Sequence, residues 1–508
     1  MLINSKKRIS GLVVLLSILY FCNNAFAQTL HPSMEPLFSV FSVLGSKSEA
    51  GNTNYTADEV FEMGLLFSEC ERGSEVWERC WKQFEEIKQE VSSEEIMSLG
   101  EEERGRAILK LLYRDYLVAY SLNQTKIDVA MDKGFYNCVS SAVLYMATAK
   151  AAGLDVHGQR TTQHAFCSIY VPLAGGKPGQ LKKIDVETTN PYGFNPGSRE
   201  TIEHENVIKG YYVVPKTYYS NRREVRDALF AGLIAGNLCS AYIDNNDYNN
   251  ALPLGTARYL AVINDNSQAA AEVRKEFDIL AANFINLVTE DAQDFYNRLE
   301  WYRSFIDRWG MTSFLQNNMD NAINNLLVFC FEEKNYELAR EGWEKYKTYV
   351  SPKRVSVMEE MLVDTLIAAS TQGFSPEEEL SFVSLELAKS ENDSSGIFSS
   401  EASRKRMRLH LENIWLSILN THMNNRDYKA GYDVSIKALE QLPNSSKIKA
   451  MQKSFYNNCI ALIHNAFANQ ANSRNYEAAR KILLEGLEQF PDDRTLNNDL
   501  SQLKKIID

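Results

Sequence analysis

One cysteine stands where a thiol could act as a nucleophile. Cys138 comes directly before the apolar run Val139, Ala142, Val143, Met146 and Ala149, whose spacing predicts a helix that ends near Gly153. A helix N-terminus favours a negative charge on a thiol placed there, and a thiolate is the reactive form of cysteine. The sequence therefore makes Cys138 a candidate nucleophile, and the alternative is a buried structural thiol.

A thiol nucleophile also needs a base, and His164 is the best-placed histidine. His164 opens a β-rich segment, His164–Val171, and a loop rich in Gly and Pro joins it to a second such segment, Leu181–Thr188, which contains Asp185. If the two strands pair antiparallel, Asp185 can orient the imidazole while its other nitrogen faces the thiol. The alternative for His164 is a core histidine with satisfied hydrogen bonds.

Three stretches in this order resemble the transglutaminase-like superfamily of cysteine enzymes: "YNCVSSAVLYMATAKAAGL", "QHAFCSIYV" and "KKIDVETTNPYGF". The resemblance covers roughly residues 105 to 215. It implies a papain/transglutaminase-like core with Cys138 as nucleophile, His164 as general base and acid, and Asp185 as orienting carboxylate. The family often has an aromatic residue before its aspartate, where this chain has Ile184.

The donors that would stabilise an oxyanion are less defined by the sequence. The backbone N–H of Cys138 is the expected donor, and Asn137 and Tyr136 are further candidates.

The elements around this region predict an α+β domain followed by an all-α array. An N-terminal helical region, 28–104, is irregular up to residue 55 and then shows helical periodicity, which begins at a capping-box pattern of Thr56 and Glu59. The transglutaminase-like domain spans 105–225, with one helix followed by strands. The remaining residues, 226–508, are predicted to be helical throughout.

A short motif recurs in the helical part: "NDYNNA", "KNYELA", "RDYKAG" and "RNYEAA", with tyrosines at Tyr248, Tyr336, Tyr428 and Tyr476. The pattern resembles tetratricopeptide repeats, although its spacing is longer than that family's period of roughly 34 residues. The resemblance implies stacked helix pairs, whose surface could bind a partner protein.

The first residues have the pattern of a signal peptide. Lys6, Lys7 and Arg8 precede a short apolar run, and Ala25-Phe26-Ala27 forms a cleavage pattern, which predicts a signal peptide over 1–27 and a mature chain from Gln28. The alternative is a lipoprotein acylated at Cys22. No later apolar stretch is long enough for a transmembrane helix, so we expect an exported protein, periplasmic or secreted.

Composition excludes several function classes. With 508 residues and a formal net charge of −12, the chain is large enough for more than one domain and a poor partner for nucleic acid. We interpret the small basic cluster Arg222, Arg223 and Arg226 as a solvated face. No Cys-x-x-Cys or His-Glu-x-x-His motif is present, so neither a metal nor a cofactor is predicted.

Two hypotheses follow from these patterns. The first is an exported thiol enzyme that cleaves or transfers amide or acyl bonds of a protein or peptide, with the helical array binding substrate or partner. The second is a non-catalytic periplasmic scaffold, in which the array binds a partner and the core domain is silent.

Overall fold

The structure is a computed structural model that describes residues 40–45, 55–196, 221–287, 291–394 and 396–507. The chain divides into two compact units, Met1–Leu287 and Val288–Asp508. The predicted signal peptide, with Cys22, lies outside the described residues. Within the described ranges, no helix combines the length and the apolar character needed to cross a membrane.

The first unit begins with helices that surround the later site. Thr56 caps the first helix, and its hydroxyl and the Glu59 carboxylate form the predicted capping box. Phe61 of this helix stacks on Phe84 of the next, with 4.0 Å between ring centroids. The helices before the sheet are α1 (Ala57–Phe67), α2 (Glu75–Val91), α3 (Glu94–Met97), α4 (Glu101–Asp115), α5 (Ile127–Lys133) and α6 (Cys138–Ala151).

The strands form two sheets. A short parallel pair, β1 (Ala119–Tyr120) and β2 (Phe135–Tyr136), leads into α6. The main sheet is antiparallel, with strand order β5-β4-β3-β6. Its members are β3 (Asp155–Arg160), β4 (Ala165–Pro172), β5 (Leu181–Val186) and β6 (Arg223–Val225).

Helix α6 is the centre of the first unit. Every residue from Val139 to Ala149 is buried, because the main sheet packs on one side of the helix and α1 on the other. The apolar positions found in the sequence therefore mark only part of a helix that is buried all round. The Cys167 thiol of β4 lies 3.2 Å from the Ala142 carbonyl oxygen of α6, which joins sheet and helix directly.

The basic cluster after the core takes part in the sheet. Arg223 lies in β6 and pairs with Arg160 of β3, so this segment is an edge strand and only in part a solvated face. The next helix packs close to the sheet, since a Cβ built on Gly158 would lie 2.3 Å from the Phe230 ring. The remaining helices of the first unit are α7 (Asp227–Ala231), α8 (Leu233–Asp244), α9 (Tyr248–Leu260) and α10 (Gln268–Ile285).

The second unit is built from helices joined by short turns. Its last helices alternate long and short, which is the pattern of stacked pairs. The helices are α11 (Ala292–Trp309), α12 (Ser313–Glu333), α13 (Tyr336–Tyr346), α14 (Pro352–Ser370), α15 (Pro376–Asn392), α16 (Glu401–Asn425), α17 (Tyr428–Gln441), α18 (Ser446–Asn472), α19 (Tyr476–Gln489) and α20 (Arg494–Ile507).

The recurring sequence motif has the same local structure at all four positions. Each motif tyrosine is the first residue of its helix. Two residues earlier the backbone is left-handed in every case, with φ between 55° and 62°. The next N–H, as at Asp427, bonds the carbonyl five residues back. The buried small residue of each motif allows close helix contact: a Cβ on Gly431 would lie 2.2 Å from the Phe455 ring. The left-handed residues are Asn246, Lys334, Arg426 and Arg474.

Candidate functional site

Cys138 is the first residue of α6, as its sequence position predicted. Asn137 caps the helix: its Oδ1 accepts hydrogen bonds from the N–H groups of Val139 and Ser140 at 2.9 and 3.1 Å. The Ser140 hydroxyl in turn accepts from the Asn137 N–H at 3.0 Å, which completes a capping box around the thiol. Cys138 is partly exposed, whereas the other described cysteines are buried. A thiol at this place is both fixed in position and open to a reactant.

His164 lies in the turn between β3 and β4 and reaches Cys138. The turn is closed by the Thr161 N–H, which donates to the His164 carbonyl at 2.8 Å. The imidazole is close enough to the Cys138 side chain for the thiol to raise its pKa, and its Nε2 lies 2.6 Å from Glu187 Oε2. Because Glu187 takes Nε2, we assign the sulfur to Nδ1. The thiol and the histidine identified from the sequence are therefore brought together.

The carboxylate on the imidazole is Glu187, which the sequence reasoning missed. Its Oε2 takes the bond to His164, and its Oε1 accepts from the N–H and the hydroxyl of Thr189 at 3.1 and 2.7 Å. The side chains of His164 and Glu187 are 1% and 4% exposed. A buried carboxylate with both oxygens bonded is held in one orientation, and it holds the ring in turn.

Asp185 lies two residues earlier, within β5, and has other partners. Its carboxylate accepts from the Ser168 hydroxyl at 2.8 Å and from the Arg222 guanidinium. The reason is strand register. Asp185 pairs with Ser168 of β4, and Ser168 is four residues beyond His164 in the sequence. The sequence predicted Asp185 beside the imidazole. In the structure the carboxylate at that place is Glu187, two residues further along the chain.

Charge around His164 favours its protonated form. Burial by itself lowers the pKa of His164, but the negative charge of Glu187 and the hydrogen bonds with Cys138 and Glu187 act in the opposite direction and prevail. The pKa of His164 is raised from 6.5 to about 10. At neutral pH the ring is therefore an imidazolium, placed between a thiol and a carboxylate.

This pKa gives stability a predictable pH dependence. A raised pKa means that the native state binds one proton more than the unfolded state between about pH 6.5 and 10, so stability falls as pH rises through this range. A Cys138→Ala background removes the thiol's own proton and also its contribution to the raised pKa, but the charge of Glu187 still raises the pKa of His164. We therefore expect a slope difference of about 1.4 kcal/mol per pH unit, beginning near pH 7, between chains with and without His164→Gln. Urea unfolding at several pH values measures it. Parallel curves from pH 7 to 9 would show that the ring is neutral.

The side chains considered as oxyanion donors have other structural roles. The Asn137 amide caps α6 through Oδ1 and donates through Nδ2 to the Leu122 carbonyl at 3.1 Å. Tyr136 is fully buried, with its hydroxyl 3.0 Å from that of Tyr113. The backbone N–H of Cys138 has no acceptor within its own helix, because it belongs to the first turn. It is the donor best suited to a developing negative charge.

The segment after β5 joins the carboxylate to the cysteine helix. The Thr188 hydroxyl lies 2.9 Å from that of Ser141 in α6, and the Thr188 carbonyl accepts from the Tyr113 hydroxyl at 2.8 Å. A turn follows, closed by the Gly193 N–H to the Asn190 carbonyl at 2.9 Å. The sequence signal for this support was the "TTNPYGF" stretch, whose turn residues mark a tight return of the chain.

The second histidine of the core does not take part. The His157 ring bonds Asp155 at 2.9 Å and lies 3.4 Å from Glu224, on the part of the sheet that carries Asp185. It therefore belongs to a surface network.

Together these contacts form a series of thiol, imidazole and carboxylate, with a helix N-terminus beneath the thiol. Such a series can transfer a proton between sulfur and ring while the sulfur attacks an electrophilic carbon. Comparisons of the chain with protein-family models, with curated proteins and with solved structures gave no match.

Proposed function

We propose that the protein is a thiol enzyme that cleaves or transfers amide or acyl bonds. The observation that carries this proposal is the buried His164 ring, bonded on one side to Glu187 and on the other to Cys138 at the start of α6. Buried structural thiols and core histidines are not usually joined in this way. The helix packed on an antiparallel sheet supports a papain/transglutaminase-like arrangement of the core.

The proposed reaction has two halves. In the first, the Cys138 sulfur attacks the carbonyl carbon as the thiolate, the N–H of Cys138 stabilises the oxyanion, and the His164 imidazolium gives its proton to the leaving group. A thioester and a neutral imidazole result. In the second, His164 takes a proton from water or an amine as this attacks the thioester, and the Cys138 thiolate is released, which restores the thiolate and imidazolium of the starting state. Water gives hydrolysis and an amine gives transfer.

Glu187 replaces Asp185 as the orienting group in this proposal. It fixes the ring and balances the charge of the imidazolium, which lets one histidine serve as acid and then as base. We further propose that the protein acts on proteins or peptides after export, in line with the signal-peptide pattern at its N-terminus.

The thioester provides the test. We expect p-nitrophenyl acetate to acetylate Cys138 within one turnover, and mass-spectrometric peptide mapping locates the acetyl group. Cys138→Ala should remove this adduct, and His164→Gln should slow its formation by at least about a hundredfold. The buried thiols Cys70 and Cys239 act as internal controls. Acetylation of Cys138 at the same rate in the wild type and in His164→Gln would refute the proposal.

A further inference from the structure

A basic cavity of about 500 Å³ lies beside the turn that carries His164. The charged side chains that line it, among the described residues, are all arginines: Arg160, Arg222 and Arg223. Thr161 and Thr162 add hydroxyl groups. We propose that this cavity binds a carboxylate of the substrate, so that the enzyme selects acyl groups or peptides with an acidic group near the reacting bond. This inference rests on the proposed function.

The cavity is joined to the proposed catalytic histidine through the backbone. Thr161, in the cavity wall, is three residues from His164, and its N–H donates to the His164 carbonyl at 2.8 Å. Three residues of chain span at most about 10 Å. A substrate that places a carboxylate in the cavity therefore has its neighbouring bonds within reach of the His164 side of the site.

A second link runs through side chains. The Arg222 guanidinium lies over the Phe166 ring, 5.9 Å from its centroid, and this ring stacks with the His164 imidazole at a centroid distance of 6.0 Å. Arg222, in the cavity wall, is thus packed against Phe166, the ring that stacks with the His164 imidazole. An anion bound by Arg222 would therefore lie beside Phe166.

The arginines keep donors for a ligand. Arg160 lies 3.9 Å from both Glu272 and Glu276, which is too long for a hydrogen bond. Arg223 donates through one nitrogen to Glu272 at 2.6 Å. A guanidinium has five N–H donors in a planar fork that matches a carboxylate, so these contacts leave capacity for a bidentate bond.

The charge of the cavity is opposite to that of the whole chain. The protein carries a formal net charge of −12, which on average repels acidic ligands. The three arginines have carboxylate neighbours in Asp185, Glu272 and Glu276, and their remaining N–H donors are directed at one concave surface, where they favour an acidic ligand over a neutral one. A neutral isostere can accept hydrogen bonds from the arginines but lacks the charge that strengthens them, which makes charge the property to test.

Binding is tested with full-length Cys138→Ala protein, so that no chemistry occurs. The probes are N-acetyl-Ala-Glu-NH2 and its isostere N-acetyl-Ala-Gln-NH2, with N-acetyl-Ala-Gln bearing a free C-terminal carboxylate as a third peptide and inorganic phosphate as a competitor. We expect calorimetry to show at least one carboxylate peptide binding about tenfold or more tighter than the neutral one. Tighter binding of N-acetyl-Ala-Glu-NH2 would show that the cavity holds a side-chain carboxylate, and tighter binding of N-acetyl-Ala-Gln would show that it holds a terminal one.

Two variants test whether the preference for carboxylate peptides depends on the arginines of the cavity. Arg160→Gln and the half-exposed Arg223→Gln should each reduce it severalfold, and Arg114→Gln, whose partner is Glu90, should not change it. Equal affinity for all peptides, or a preference that survives both variants, overturns the inference. Binding of phosphate without any peptide preference also overturns it, because the cavity would then hold a free anion. Since Cys138 is absent, these outcomes are separate from those of the thioester test.

Discussion

Glu187→Gln is expected to slow acetylation of Cys138 by p-nitrophenyl acetate by about a hundredfold or more. Glutamine preserves the size of the side chain but removes its charge, which is the largest of the effects that raise the pKa of His164. The amide also offers an N–H donor where the ring now meets an acceptor oxygen 2.6 Å away. The ring then loses both its charge partner and its fixed orientation. Stopped-flow release of nitrophenolate measures the rate.

The matched control is Asp185→Asn, two residues earlier in β5. Its carboxylate bonds Ser168 and Arg222, so we expect a change of less than about threefold in the acetylation rate, the size of an indirect effect. Circular dichroism would establish that both variants are folded. If Asp185→Asn proved as damaging as Glu187→Gln, or more so, the assignment of Glu187 would be wrong.

The two carboxylates show how far sequence alone can locate such a site. Asp185 lies in β5 and Glu187 lies one residue beyond its end. Side chains two residues apart in an extended chain point to the same side, so the sequence pattern cannot choose between them. The choice depends on register, which is set by the hairpin between β4 and β5. In the structure Pro172 pairs with Leu181, and this pairing places Asp185 opposite Ser168. A shift of two residues would have brought Asp185 to the place of Glu187 while the same side chains stayed on the same face.

Cys138 and His164 were easier to predict because their positions depend on local chain signals. The apolar periodicity after Cys138 and the capping residue Asn137 define a helix start. His164 follows from the beginning of a β-rich segment. That the two side chains meet depends on the packing of β4 across α6, which no short-range pattern specifies.

The recurring motif was predictable for a similar reason. Its Asp or Asn is a helix-capping residue type, and its small residue permits helices to approach closely. At Arg426 and Arg474, however, residues with no special turn propensity adopt left-handed backbone. The same fold of the turn is therefore imposed by the packing of the two helices it joins.

The position of Glu187 depends in turn on a close backbone contact with Gly193. A Cβ built on Gly193 would lie 1.9 Å from the Glu187 carbonyl oxygen and 2.8 Å from the Glu187 Cβ. The two residues are also joined by a hydrogen bond, with the Glu187 N–H donating to the Gly193 carbonyl at 2.8 Å. Backbone atoms cannot move aside as a flexible side chain can, so any larger residue must displace Glu187 or the turn.

Gly193→Ala is therefore expected to reduce acetylation of Cys138 strongly, since a shift of about 1 Å in a catalytic group can cost about a hundredfold in rate. We also expect a loss of about 1–3 kcal/mol in the free energy of unfolding, the usual cost of overpacking. Gly176→Ala, in the hairpin at the other end of β5, is the control, because its nearest contacts are 3.0 Å or longer. Rates are compared well below the unfolding transition of each variant. An acetylation rate for Gly193→Ala equal to that of Gly176→Ala would show that Glu187 does not depend on this contact.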